Sequence, residues 1–422
     1  IALSMLAWVY RTGVAGTRDL IKCAGYAQQC INGEKKLNIP KADGYLQVAL
    51  CLNARMEDML NVTDTKMNGT LPFSSQLADA VREAVRDYHE GSMYKRDEAV
   101  RTFRRNLFPR WKPGLGNVLA CCDIFQIILE AAYEKYVSAA NQNNQNYQEI
   151  ARLGYVSKAY LVLAAIGTSG GALNLLAQML INQANQYEAD QRISFFRRHP
   201  DIDTFVQQHA APYGWPLNDN YALAYRVLQS VCGIQRGSQP YSHMKKAELV
   251  LKGYVSESSS TQLTSLNIAI NGGLAMGHYW KGRLLLEQAK QDHDRCNDYK
   301  DAAIASFCAT NVTERFDHLP ENADEDAAPQ LSPPQWLSAI ELLRYPDRAV
   351  FRVDRRMVFQ TIYQKLTQQV EEVQSDNIQI HNERYRLTKK DVRSNLERCL
   401  DMVKAQFPDK EPLIQKMIRS IR

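Results

Sequence analysis

Between Ser74 and Gly91 the chain reads SSQLADAVREAVRDYHEG. Leu77, Val81, Ala84, Val85 and Tyr88 recur three and four positions apart, which places them on one stripe of a helix. Ser74 and Ser75 offer side-chain oxygens to the unpaired N–H groups at its start, and Gly91 stops it. The same period returns at Val118, Cys122, Phe125, Leu129, Ala132 and Tyr136. It returns again at Val392, Leu396, Cys399, Leu400 and Val403, behind a capping box of Thr388 and Asp391. Ser332-Pro-Pro-Gln335 is a further start, with proline in the turn that needs no donor and Gln at the reciprocal position. Alternating strand patterns bounded by hairpin turns are hard to find, so the sequence predicts an all-α, multi-helix protein. No self-similarity stands out at solenoid periods, so the expectation is two helical lobes with loop insertions and no repeat array.

Interruptions set the expected organisation. Asn141 to Gln148 (NQNNQNYQ) is polar and reads as an exposed connection, and Arg197 to Asp219 carries His199-Pro200, Pro212-Tyr-Gly and Trp215-Pro216, which forbid one continuous helix. Glu314 to Asp326 holds six acids against Arg315 alone, with Pro320, Pro329, Pro333 and Pro334 nearby. These features give an N-terminal helical lobe at 1–140, a central helical region at 150–313, a mobile acidic Pro-rich loop at 314–332 and a C-terminal helical region at 333–422.

Composition narrows the class. A chain of 422 residues, 45% hydrophobic and 23% charged, can bury a full core without staples. The longest apolar run, Ala159 to Ile166, is far short of a membrane span, so no integral membrane segment is expected. Ile1 to Tyr10 lacks the basic region and cleavage site of a signal peptide. Nine cysteines with no CxxC pair read as buried small hydrophobes in an intracellular reducing compartment, cytoplasmic, or in a virion. The sequons at Asn61, Asn68 and Asn311 matter only in a secreted chain.

Charge is the informative feature. From Lys95 to Lys112 stand Lys95, Arg96, Arg101, Arg104, Arg105, Arg110 and Lys112 against Asp97 and Glu98; this excess of five equals the net charge of the whole chain, +5. Tyr94, Phe103, Phe108 and Trp111 interleave with it. Cations neutralise phosphates while aromatic faces stack on bases, so the tract suits single-stranded nucleic acid; the competing reading is an amphipathic helix with a solvated face. A second group, Arg344, Arg348, Arg352 and Arg356, recurs every fourth residue. If Pro346 opens a helix there, Arg348, Arg352 and Arg356 form a row spaced about 6 Å apart, comparable with an extended strand's phosphates. Pairing with Asp347 and Asp354 is the alternative.

Signals of chemistry are weak. Gly167-Thr-Ser-Gly-Gly171 superficially suggests a hydrolase nucleophile loop, but Ala-rich helical sequence flanks it and no strand leads in, so it reads as a helix break. Asp292-His-Asp294 with Cys296 and Asp298 reads as solvated polar helix rather than a metal site. His278 beside Tyr279 and Trp280 either packs or stacks on a base. No catalytic residue, metal or cofactor is assigned, and an enzyme is not expected.

The resulting expectation is a non-enzymatic, self-assembling homo-oligomer that coats single-stranded RNA between its two lobes. A protein partner is also expected at the acidic segment 314–326. In general layout the chain resembles the helical nucleoproteins of RNA viruses or a helical capsid protein, and that layout implies a nucleocapsid or capsid type of coat. The alternative is an intracellular helical scaffold or adaptor protein without nucleic acid.

Overall fold

The computed structural model describes residues 2–33, 38–61, 71, 73–90, 93–102, 122–167, 169–190, 220–233, 239–317, 329–345, 350–374 and 389–421. Helix is the regular structure among these residues, with no strand, so the all-α class holds. The chain divides into two compact units, Ile1–Met179 with Phe195–Ile234, and Leu180–Ser194 with Gln235–Arg422.

The first unit holds α1 (Ala2–Thr12), α2 (Leu20–Asn32), α3 (Asn38–Asn61), α4 (Ser75–Glu90), α5 (Met93–Thr102), α6 (Cys122–Ala140) and α7 (Gln145–Ile166). It also holds the start of α8 (Gly170–Asp190), and α9 (Asn220–Cys232). Its centre is α7, which packs on α3, α4 and α6. From Tyr155 onward nearly every residue of α7 is buried, because a helix that is apolar all round has no face to give to water. Ala159 to Ile166 is thus core, and no described helix is long and apolar enough to cross a membrane. Each large apolar side chain so buried contributes roughly 1.5–3 kcal/mol.

Polar groups enter this core in pairs. The Ser157 hydroxyl lies 3.0 Å from the Ala49 carbonyl and 2.7 Å from Asn53 Oδ1 of α3, and the Tyr155 hydroxyl donates to Asp79 Oδ1 of α4 at 3.0 Å. Arg82 of α4 pairs with Glu130 of α6 at 2.8 Å and covers the Tyr133 ring 3.7 Å from its centroid. The stripe read in α4 is confirmed, with Val81, Ala84 and Val85 buried. Gly167-Thr-Ser-Gly-Gly171 is the break between α7 and α8: Gly167 ends one helix, α8 begins at Gly170, and Ser169 is buried with its hydroxyl 3.0 Å from Asp43 Oδ1.

The polar run Asn141 to Gln148 lies within this unit, its first four residues an exposed turn and Gln145 to Gln148 the start of α7. Asn144 Oδ1 accepts from the Tyr147 N–H at 3.1 Å and starts α7, which folds back on α6. The lobe boundary expected between 140 and 150 therefore falls inside the first unit, because the apolar face of α7 is buried by helices that precede the turn.

The second unit runs through α10 (Pro240–Leu251), α11 (Ser259–Asn271), α12 (Ala275–Gln291), α13 (Cys296–Cys308), α14 (Val312–Asp317), α15 (Pro333–Leu343), α16 (Arg355–Gln374), α17 (Lys389–Gln406) and α18 (Glu411–Ser420). Consecutive helices pack together, and α10, α12, α15 and α17 also touch in that order. Connections as short as Gly272–Leu274 make neighbours antiparallel. Gly273, at φ +81°, supplies the left-handed residue that this turn needs. One apolar cluster, from Met244 to Ile421, binds the helices together. The central and C-terminal regions expected as separate pieces (150–313 and 333–422) share that cluster. Of the acidic loop expected from Glu314, the first residues are helical instead, because Val312 and Phe316 are fully buried on α14 and fold Glu314 and Arg315 into a helix. Residues 318–328 of that loop lie outside the described ones. The helix start at Ser332 is confirmed: Gln335 Oε1 accepts from the Ser332 N–H at 3.0 Å and from its hydroxyl at 2.9 Å.

A buried charge network joins α10 to α17. Lys252 Nζ lies 2.8 Å from Glu248 Oε1 and 2.7 Å from Asp391 Oδ1, and Lys245 Nζ lies 3.0 Å from Glu248 Oε2. Burial alone would raise the Glu248 pKa, but Lys245 and Lys252 more than reverse this and hold the carboxyl below its usual range. Burial would lower that of Lys252, and Glu248 and Asp391 instead raise it above an ordinary lysine. The signs fix the pH response. Glu248 contributes stability above its unfolded pKa, about 4.3, and that stability is lost as pH falls through the lower folded value. Lys252 contributes below its unfolded pKa, about 10.4, and loses its share as pH rises through the higher folded value. Thermal melts of Glu248→Gln should show lower stability at neutral pH and a shallower acid decline than wild type. An acid decline identical to wild type would remove Glu248 from the linkage.

Candidate nucleic-acid interface

The basic tract begins on α5, which packs on α4 through the buried Ala99. With that face inward, Tyr94, Lys95, Glu98 and Arg101 are turned to solvent, and Tyr94 is 70% exposed. An aromatic ring of that size open to water beside two cations offers a stacking surface with charge at its edge. Arg101 Nη1 lies 3.7 Å from Glu98 Oε2, one turn back, with both side chains more than half exposed. Such a pair is worth little and yields readily to a phosphate. Arg96 lies on the same helix. Arg104, Arg105, Arg110, Trp111 and Lys112 lie outside the described residues.

The second basic row does not form as expected. Residues 350–354 are not helical and α16 opens at Arg355, so no helix carries Arg352 and Arg356 in one row. The cause is Asp354, whose Oδ1 accepts from the Arg356 N–H at 2.9 Å and starts the helix there. Arg352 and Arg356 are both exposed, whereas Arg348 lies outside the described residues. Arg355 turns inward and donates to the carbonyl oxygens of Leu343 and Tyr345, satisfying the C-terminal end of α15. Arg344 faces Glu341.

A stronger convergence of charge, in the second unit, escaped sequence reading. Glu341 of α15 is 1% exposed, and three guanidinium groups approach it. Arg283 of α12 and Arg398 of α17 each stand 3.6 Å from Oε1, and Arg344 donates to Oε2 at 3.3 Å. Both Arg283 and Arg398 donate to the Tyr279 hydroxyl, at 3.3 and 2.9 Å. Burial works against the charge of Arg283, but Tyr279 and Glu341 outweigh it and keep its pKa raised. Separations of 119 residues between Tyr279 and Arg398 leave no local spacing to read. The legible hints were Arg344, read as part of the arginine row, and the pairing of Tyr279 with Trp280 behind His278, which packs: both rings are buried in the core cluster.

Among the described residues, no three His, Cys, Asp or Glu side chains gather where a metal could be held. Asp292, one of the acids weighed for that role, accepts from the Arg295 N–H at 3.2 Å and shapes the turn between α12 and α13. Comparison with protein-family models, curated proteins and solved structures returned no match.

Proposed function

We propose that this chain is a non-enzymatic, self-associating protein that binds single-stranded RNA through the tract from Lys95 to Lys112. The observation that supports the reading best is the outward face of α5, where Tyr94, Lys95 and Arg101 stand open to solvent at the entrance to that tract. Cations there take phosphates and release counterions, while Tyr94 and Trp111 stack on bases without regard to sequence. Arg352 and Arg356, exposed on the second unit, act in this reading as separate phosphate contacts. The acidic segment 314–326 is assigned to a basic protein partner.

A second reading, an intracellular scaffold or adaptor protein without nucleic acid, is favoured by one observation. On α1, α2 and their connection Met5, Trp8, Val14 and Ile21 are each 42–65% exposed, apolar side chains that a protein partner would cover. The readings separate on protein purified without nuclease. RNA binding predicts a ratio of absorbance at 260 to 280 nm raised by bound nucleic acid, falling to that of protein after ribonuclease treatment. A ratio of protein alone, with no RNA retarded in a gel at low salt, would leave the adaptor reading in place.

A further inference from the structure

We propose that the second unit carries a site for inorganic hydrogen phosphate, built on Glu341, Arg283, Arg344 and Arg398. The charge is unbalanced: three guanidinium groups converge on one carboxylate. The next acid along α12, Glu287, also favours the charge of Arg283 but hydrogen-bonds elsewhere, with both carboxylate oxygens on Lys290 Nζ at 2.8 and 3.0 Å. Two excess positive charges held together in a half-buried cluster repel one another, and a dianion removes that cost. Planar guanidinium forks match a tetrahedral oxyanion better than a point charge does.

The hydrogen bonding is unfinished in the same place. Glu341 Oε1 is buried and has no donor within hydrogen-bond distance, since Arg283 and Arg398 stop at 3.6 Å. One turn earlier on the same helix, the fully buried Ser338 hydroxyl also lacks a partner. Buried polar atoms left unmade in this way are rare and call for a bound group. A ligand that fits this place is anionic toward three arginines and a donor toward one carboxylate oxygen. Hydrogen phosphate has that pattern: two negative charges, oxyanion oxygens for the N–H donors, and one P–OH to donate to Glu341 Oε1. Sulfate has the charge without the proton, and a phosphate monoester at pH 8 likewise lacks it. Access is through Arg344, whose side chain is 40% exposed, against 24% for Arg398 and 15% for Arg283.

Isothermal titration of the full chain at pH 8, at ionic strength fixed with chloride, tests this. Inorganic phosphate should bind saturably with one equivalent, and sulfate and phenyl phosphate at least about tenfold more weakly, because a site built to receive a hydroxyl discriminates against analogues without one. Arg344→Gln, at the exposed edge and not needed for the core, should weaken phosphate about tenfold or more with an unchanged circular dichroism spectrum. Glu341→Gln presents an amide donor as well as an acceptor, and should abolish the preference for phosphate over sulfate. Absence of saturable phosphate binding up to 10-fold above physiological millimolar levels would overturn the proposal. Equal affinity for sulfate or phenyl phosphate, or wild-type affinity in Arg344→Gln, would overturn it too. The proposal does not rest on RNA binding, which the Arg344→Gln variant should leave intact.

Discussion

Replacing Arg101, Arg104, Arg105 and Arg110 together by glutamate is expected to weaken binding of single-stranded RNA by about 10²–10³-fold near 0.1 M salt, equally for unrelated sequences. The size follows from counterion release. For single strands the logarithm of affinity falls with that of salt by roughly 0.7 per phosphate neutralised, so four lost contacts flatten the slope by about 3 units. The fold should not suffer. Arg101 is more than half exposed and its ion pair to Glu98, at 3.7 Å, is of the weak surface kind. Trp111→Ala is expected to behave differently, costing about 1–3 kcal/mol at every salt concentration with the slope unchanged, because stacking releases no ions. The two variants thus separate charge from stacking. Unchanged affinity and slope in the quadruple variant would reduce the tract to a solvated helix face, and the apolar surface of Met5, Trp8, Val14 and Ile21 would then point to an adaptor.

What the sequence made legible is what acts within one or two helical turns. The stripe of α4, the capping of α15 by Ser332 and Gln335, and the break at Gly167 were all readable because each depends on residues a few positions apart. The partition into units was not readable in that way. The polar run before α7 has the composition of a linker, yet the helix it introduces is buried by α3, α4 and α6, and that burial depends on residues as far as 108 positions earlier. The arginine row failed for an instructive reason. Period-four spacing from Arg344 to Arg356 describes a helix only if nothing starts one inside it, and Asp354 does. The Glu341 cluster draws on α12, α15 and α17, so its members look like isolated surface arginines until the helices pack.

Packing of α12 against α13 includes one interlocked pair, and in a double-mutant cycle on it the effect of Gly282→Ala is expected to reverse sign. Phe307 is fully buried, with its ring centroid 6.1 Å from that of Tyr279. Its ring fills the space over Gly282: a Cβ added there would stand 2.5 Å from Phe307 Cε1 and 2.7 Å from Cζ. A flat ring held on several sides cannot swing away as a flexible chain end would. Phe307→Ala should therefore cost about 3–5 kcal/mol, the lost transfer energy plus the cavity left behind. Gly282→Ala introduces an overpacking cost of about 1–3 kcal/mol, offset by about 1 kcal/mol from the better helix former. In the double variant the new methyl group enters the space vacated by the ring, so the overpacking vanishes while the propensity gain remains. The pair should then be more stable than Phe307→Ala alone, with a coupling of about 1–3 kcal/mol measured by denaturant unfolding. Additive costs would mean that Gly282 and Phe307 do not touch in solution. The same cycle bears on the charged cluster, because Tyr279 packs against this ring and its hydroxyl accepts from both Arg283 and Arg398. Loss of the ring frees Tyr279 to shift, so Phe307→Ala should also weaken phosphate binding, and the added methyl of the double variant should restore part of it.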